Sequence, residues 1–498
     1  MNKDFLTFNL IFCVKMKLTK NNISKAIDNV QDKYSALFDD LILLKNFKSK
    51  NFKSKSIFDF QYKLGIQLYK LASLRNEITV QEKKLIDKKQ LIKPRWFIHR
   101  MRLYRKFKDS VENCIRIGKT LGDAFVWHFY QFNLPELFRH IDHEEIKIPP
   151  TGIGGMGELE FIKKNFILNN HFALLHGITN FLKIGDVSFI SMDDCLLTSL
   201  GEIKTEKKED GSLMVHLTAI NSKGRHFFEN INSDAKNEKD IYKGYFNPER
   251  FKRQIKKIIA VLKVSKEKNN ENQLIYDKYY VKELEDVVDG LKGKVLNMKK
   301  VNARLLFVSN RFNYRTFSKR MFAKQNVKAY KRREDEIVKM VNSLYDKENL
   351  NHPIQMGSIH FDGKLEPISL IGTCPIFWYP IRPDIIKEIY FQNVFVLSLF
   401  NPTELFLNLK KLGLEFSKDE DTGKFYFGKM IGEKRMWIEN ISYFLSLIKD
   451  HLQTEEAVIE AIKGIVSITE NQKDASTGVK IMPEIYHIST AYNQDNIK

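Results

Sequence analysis

Between about Lys20 and Phe132 the apolar residues return every three or four positions, as in FDFQYKLGIQLYKLASL and SVENCIRIGKTLGDAFVWHFY. This period predicts long amphipathic helices with a break at Pro94. The segment KIPPTGIGGMG, residues 147–157, is a cluster of Pro and Gly that predicts a loop. A helix is expected from Glu158, and the period then shortens to that of strands in HFALLHGI, FLKIGDVSFI, LLTSLGEIKT and LMVHLTAI. Asp210-Gly211 sits where a hairpin would turn. Helical, basic character returns over residues 247–345, with a polar loop at KEKNNENQ. In the last part IFWYP, EIYFQNVFVLSLF and KFYFGKMIG predict strands, and NISYFLSLIKDHL and TEEAVIEAIKGIV predict helices.

The expected organisation is a basic helical region over 1–146, a mixed α/β core over 147–246, a basic helical arm over 247–345 and a C-terminal α/β domain over 346–498. The fold class is α/β in the broad sense, or α+β. A chain of 498 residues is long enough for about two to four such units.

Charge sharpens this division. The formal net charge is +20, yet residues 1–120 hold 27 Lys/Arg against 11 Asp/Glu, and residues 291–333 hold 14 Lys/Arg and no acid. The remaining residues therefore carry −10. An excess confined to two blocks points to a polyanionic partner, nucleic acid above all, rather than to general solubility. The second block interleaves its cations with Phe307, Phe312, Tyr314, Phe317, Phe322 and Tyr330, so Arg304, Arg311, Arg315, Lys319, Arg320 and Lys324 are the candidate phosphate contacts.

The four cysteines, Cys13, Cys114, Cys195 and Cys374, form no CxxC pair and predict neither a disulfide framework nor a zinc site. Asp4 and Asn9 interrupt the short apolar run at the N-terminus, and Met16 is an equal candidate for the start. No apolar stretch is long enough to span a bilayer. A cytoplasmic protein without membrane contact is expected, with a protein partner or self-association left open.

Chemistry concentrates in Gly185–Thr205. Asp186 opens one run of β-formers, and Glu202 and Lys204 lie in the next with Ile203 between them. Alternation along a strand puts Glu202 and Lys204 on one face and Ile203 on the other. If the strands pair, two carboxylates and an ammonium converge. Hard oxygen ligands suit Mg²⁺ or Mn²⁺, the Ile203 carbonyl can add a ligand, and Lys204 can orient a water or offset developing charge. The plainer alternative is a surface hairpin with a weak ion pair.

The order of helix with Glu158 or Glu160, strand, strand with Gly185-Asp186, and strand with Glu202-Ile203-Lys204 resembles the PD-(D/E)XK nuclease superfamily over about residues 151–235. Gly185 stands where the namesake motif has Pro, and a further hairpin follows Thr205 where the family has a helix. The resemblance implies a restriction-endonuclease-like core with a mixed sheet, metal ligation by Asp186, Glu202 and Ile203, catalytic roles for Lys204 and Glu158, and DNA as substrate. Host defence or a mobile element would be the setting by analogy. An inactive nuclease-like scaffold and an RNA-cleaving effector are the alternatives.

Other signals are weaker. Gly152–Gly157 matches a dinucleotide fingerprint only formally, because Pro149-Pro150 replaces the required strand. His140, Asp142 and His143 lack a further metal ligand at a supporting spacing and read as a solvated helix end. His171 and His176 read as packing or surface residues. The tandem NFKSKNFKSK at 46–55 reads as a basic loop or helix surface.

Overall fold

The computed structural model describes residues 18–45, 55–130, 137, 140, 149–165, 167–168, 170–193, 197–207, 209, 213–221, 279–311, 316–322, 327–342, 352–359, 376–418, 425–431, 434–438 and 441–471. The chain divides into two compact units, Met1–Asn270 with Thr316–Ala323, and Glu271–Arg315 with Lys324–Lys498. The architecture is α+β, with antiparallel sheets throughout the described residues.

In the first unit, helix α1 (Lys20–Lys45) buries Ile23, Ile27, Val30, Tyr34, Leu37, Leu41 and Leu44, the stripe its sequence period dictates. Thr19 Oγ1 accepts from the Asn22 backbone N–H at 3.3 Å and caps its start. Helix α2 (Lys55–Asp87) packs antiparallel to α3 (Pro94–Tyr130), whose first residue is a proline, suited to that position because its missing N–H would have no helical partner there. From Val111 onward α3 is buried on nearly all sides, and it forms the centre of the unit. Its Phe125 stacks on Phe60 of α2 at 4.6 Å, and its Phe129 stacks on Phe172 at 5.0 Å. The short helix Phe317–Met321 docks on α1, where Asp28 accepts from the Ser318 N–H at 3.0 Å and Gln31 from the Phe317 N–H at 2.6 Å.

Helix α4 (Ile153–Lys164) begins inside the glycine cluster, five residues before the start expected at Glu158. A Cβ at Gly157 would stand 1.8 Å from Thr205 Oγ1, so this glycine serves close helix-to-strand packing and not a turn. Five strands follow in sequential order: β1 (Ile167–Leu168), β2 (His171–Leu175), β3 (Val187–Ser191), β4 (Leu197–Lys207) and β5 (Leu213–Asn221). All four expected strand segments are present, and Lys207 pairs with Leu213 as a hairpin requires; Asp210-Gly211 lies outside the described residues. The sheet is antiparallel, not mixed as the resemblance implied, because the connections between consecutive strands are shorter than a parallel crossover needs.

Strand β1 covers only the first residues of β2. Beyond it, the buried side chain of Gln61 on α2 acts as a substitute strand: Nε2 donates to the Ala173 carbonyl at 2.9 Å, and Oε1 accepts from the Leu175 N–H at 3.1 Å.

In the second unit, residues 296–311, expected as part of a helical arm, are instead a hairpin of β6 (Leu296–Lys300) and β7 (Leu305–Arg311). Helix α5 (Val281–Asp289) precedes it and α6 (Val327–Asn342) comes later in the chain. The run LLFVS is buried along its whole length, so it lacks the polar alternation that marks a strand with one wet face. The hairpin joins β9 (Val394–Phe400) and β8 (Gln355–Ile359) in the order β6-β7-β9-β8, and Leu306, Val308 and Leu399 form a core against Ile337 and Met340 of α6.

Of the expected strand EIYFQNVFVLSLF only the second half is β9, since EIY closes helix α7 (Pro383–Tyr390); IFWYP begins as a 3₁₀ turn, Ile376–Trp378. Helix α8 (Thr403–Lys411) leads into a second sheet of β10 (Glu415–Lys418), β11 (Phe425–Ile431) and β12 (Lys434–Ile438). The two expected terminal helices are α9 (Ile441–Lys449) and α10 (Glu455–Asn471). Among the described residues no helix is long and apolar enough to cross a membrane.

Replacing Gln61 by the nearly isosteric methionine strips partners from one buried carbonyl and one buried N–H. The expected loss is about 2–4 kcal/mol of unfolding free energy, measured by urea denaturation, and a loss under about 0.5 kcal/mol would refute the substitute-strand role.

Candidate active site

Asp186 lies one residue before β3, and the register Val187↔Gly201 makes Glu202 its neighbour across the strand pair. Its N–H donates to the Gly201 carbonyl at 2.8 Å, and its carboxylate Oδ2 accepts from the Ile203 N–H at 2.8 Å. Strand β3 has ended at this level, so the aspartate side chain takes the place of the missing strand partner. In an antiparallel strand the N–H and C=O of one residue point to the same side. The Ile203 carbonyl therefore also projects toward the side where Asp186 stands.

Glu202 and Lys204 share the opposite face from Ile203, as alternation requires, and Lys204 Nζ donates to Glu202 Oε1. Glu202 is 1% exposed, whereas the Lys204 side chain is 40% exposed and Asp186 is half-buried. Three of the expected residues, with the Ile203 backbone, thus come together.

The two candidate glutamates of α4 separate. A Cβ at Gly177 would lie 3.5 Å from Glu158 Oε2, so the Glu158 carboxylate stands over the residue next to His176. Glu160 turns instead toward Tyr62 of α2, whose phenol is pushed up by burial and by the Glu160 charge, and lies 3.9 Å from Lys164. Glu158 also lines a shallow cleft with Tyr69, Pro149, Pro150 and Gly177.

The turn before Asp186 requires a glycine. Gly185 has φ of 77°, a left-handed value that proline, fixed near φ −65°, cannot adopt. Two bonds from His176 hold this turn: its N–H donates to the Asp186 carbonyl at 3.0 Å, and its Nδ1 lies 3.1 Å from the Gly185 carbonyl. A carbonyl only accepts, so Nδ1 carries a proton, and Nε2 lies 2.6 Å from Ser188 Oγ. Ser188 Oγ also lies 2.8 Å from Tyr130 Oη, which lies 3.4 Å from His140 Nε2.

His176 is itself held by α3. A Cβ at Gly122 would stand 1.9 Å from the Ile178 carbonyl oxygen. Buried Asp123 accepts from the Asn180 N–H at 2.6 Å, from Asn180 Nδ2 at 2.8 Å and from Thr179 Oγ1, while buried Lys119 donates to the Thr179 carbonyl at 3.1 Å. Burial pushes the Asp123 carboxyl up; these donors and the Lys119 charge oppose that.

Sequence reasoning missed this support, although Lys119 and Asp123, four apart in the otherwise apolar IGKTLGDAFVW, were a visible signal. His140 corrects the reading of a solvated helix end, because it is fully buried; Asp142 and His143 lie outside the described residues. His176, read as a packing or surface residue, is buried and hydrogen-bonded.

The expected phosphate contacts do not form one surface within a unit. Arg304 pairs with Glu404 and Arg311 with Glu388 at 3.0 Å, both in the second unit, which spends these charges on internal carboxylates. Lys319 is exposed on the first unit, and Arg320 lies over the Phe317 ring at 5.0 Å. Arg315 and Lys324 lie outside the described residues, as do Phe312 and Tyr314. Phe307 and Phe317 are fully buried and cannot stack on bases.

Burial pushes the His140 ring down to about 3, with a hydrogen bond to the Ile184 backbone opposing it. A histidine whose folded value lies below its unfolded one, about 6.5, adds stability that is complete above that pH and lost as pH falls through the folded value. Urea melts at stepped pH are therefore expected to show declining stability from about 6.5 down to about 3, with a shallower decline in His140→Gln. An unchanged decline in that variant would refute the contribution.

No protein-family model, no curated protein and no solved structure matches this chain.

Proposed function

We propose that the end of β3 and the middle of β4 form the active site of a metal-dependent nuclease of the PD-(D/E)XK type, acting on DNA. The observation that carries this reading is the bond from the Ile203 N–H to the Asp186 carboxylate, beside Glu202 and Lys204 on the same strand. A surface hairpin would not bury Glu202 or end one strand on an aspartate that takes over its neighbour's backbone.

The donor types are those a hard divalent cation takes. Asp186 and Glu202 offer carboxylate oxygens, and Ile203 offers a carbonyl on the Asp186 side. Among the described residues no three His, Cys, Asp or Glu side chains are grouped to hold a metal; the proposed set needs only two, with the backbone oxygen as third ligand. Mg²⁺ or Mn²⁺ supplies phosphate charge neutralisation and a bound water of lowered pKa. Lys204, anchored through Glu202, holds the attacking water and offsets the charge that grows on the phosphate oxygens. Glu158 contributes negative charge from the helix side, over Gly177. The half-exposed ammonium of Lys204 marks the face on which the phosphate arrives.

One observation favours a second reading. Glu202 is closed onto Lys204 at 1% exposure, which suits a nuclease-like core that holds nucleic acid without cutting it.

Plasmid, single-stranded DNA and RNA incubated with Mg²⁺ or Mn²⁺ separate these readings. Metal-dependent cleavage is expected, falling by at least about a hundredfold in Asp186→Ala and Lys204→Ala and less in Glu158→Ala. Cleavage indifferent to the first two substitutions would sink the assignment, RNA-only cleavage would change the substrate, and binding without cleavage under either metal would favour the second reading.

A further inference from the structure

The outer end of the α2–α3 hairpin is not used by the site described above. No residue from 86 through 100 is buried, although α2 still contributes Leu85 and α3 resumes with Met101. The tip is nevertheless apolar: Leu91 is 85% exposed, Trp96 53%, Ile86 49% and Ile98 48%. Around them stand Lys83, Lys84, Lys88, Lys89, Lys93 and Arg95, all exposed, with Asp87 the one acid within residues 83–95. Large side chains left in water on a water-facing finger are unfavourable unless something receives them.

The chemistry of the tip decides what that is. Trp96 and Ile98 are two residues apart near the start of α3, about 200° around its axis, so the apolar groups point to different sides. A flat partner or a groove would cover one side. A medium into which the finger dips covers all of them. A second copy of the same tip is opposed by like charge. Nucleic acid would reward the cations and the Trp96 ring but gains nothing from Leu91, Ile86 and Ile98. An anionic bilayer interface rewards every component: aliphatic groups enter the acyl boundary, an indole settles at headgroup depth, and lysines extend their charged ends to phosphate and carboxylate.

We propose that the tip of the α2–α3 hairpin, residues 86–98, is a membrane-surface anchor for anionic phospholipid, with Leu91 and Trp96 inserted and Lys88, Lys89 and Lys93 on the headgroups. The contact is peripheral, needs no spanning helix, and is independent of the nuclease reading.

The test is co-sedimentation of the full chain with phosphatidylcholine vesicles with and without phosphatidylserine. Binding is expected only with phosphatidylserine, weakening with salt, and falling at least about tenfold in Leu91→Ser/Trp96→Ser and in Lys88→Ser/Lys89→Ser/Lys93→Ser. These positions are exposed, so an unchanged melting temperature identifies the loss as one of contact. A blue shift of tryptophan emission on vesicle addition, absent in Trp96→Phe, is the expected sign of insertion. The proposal is overturned by no binding to phosphatidylserine vesicles at low salt, or by binding that Leu91→Ser/Trp96→Ser leaves intact. Loss of affinity for a DNA or RNA oligonucleotide in that variant, with vesicles unbound, also overturns it and reassigns the tip to nucleic acid.

Discussion

A methyl group at position 122 would stand 1.9 Å from the carbonyl oxygen of Ile178, so α3 and residues 176–180 meet backbone against backbone. Contact that close leaves no room for adjustment, and the polar groups on either side remove what freedom remains. Asp123 takes up donors from Thr179 and Asn180, and Lys119 takes up the Thr179 carbonyl. A buried charge pair is poor evidence of net stability, since desolvation offsets much of its attraction. Here its effect is geometric. It fixes a segment whose first residue, His176, grips the two carbonyls on either side of the Gly185–Asp186 bond. The seam inside the helical part thus sets where a carboxylate stands at the end of a strand.

The first unit was legible where a single periodicity ruled. The α1 stripe and the strands β2 to β5 follow directly from the spacing of their apolar residues, and so does the shared face of Glu202 and Lys204. Reading failed where a residue type had two physical uses. The glycines of GIGGMG suggested a turn, but Gly157 lets a helix press on Thr205. The buried run LLFVS carried no alternation and was absorbed into a helical arm. Basic residues near aromatics suggested a phosphate surface, yet Arg304 and Arg311 face acids brought in from distant positions, Glu404 and Glu388. Long-range pairing of that kind leaves no trace in local sequence.

The candidate site sits between these cases. Its three polar residues could be named from spacing alone. The turn before Asp186 could not, because the φ of 77° at Gly185 is held by histidine bonds from another part of the chain. Nor could the different surroundings of Glu158 and Glu160, which depend on which side of α4 faces Gly177 and which faces Tyr62.

The side chain of Gln61 has one more consequence. A sheet whose outer strand keeps bare amides and carbonyls invites a strand from another molecule to add to it, the first step of edge-to-edge aggregation. Strand β1 guards only the beginning of β2, and the strand-free rung that follows, at Ala173 and Leu175, is filled by an amide anchored in a helix. That amide offers the same donor and acceptor as a peptide but has no neighbour to continue the ladder. That rung is therefore closed to an added strand by one residue.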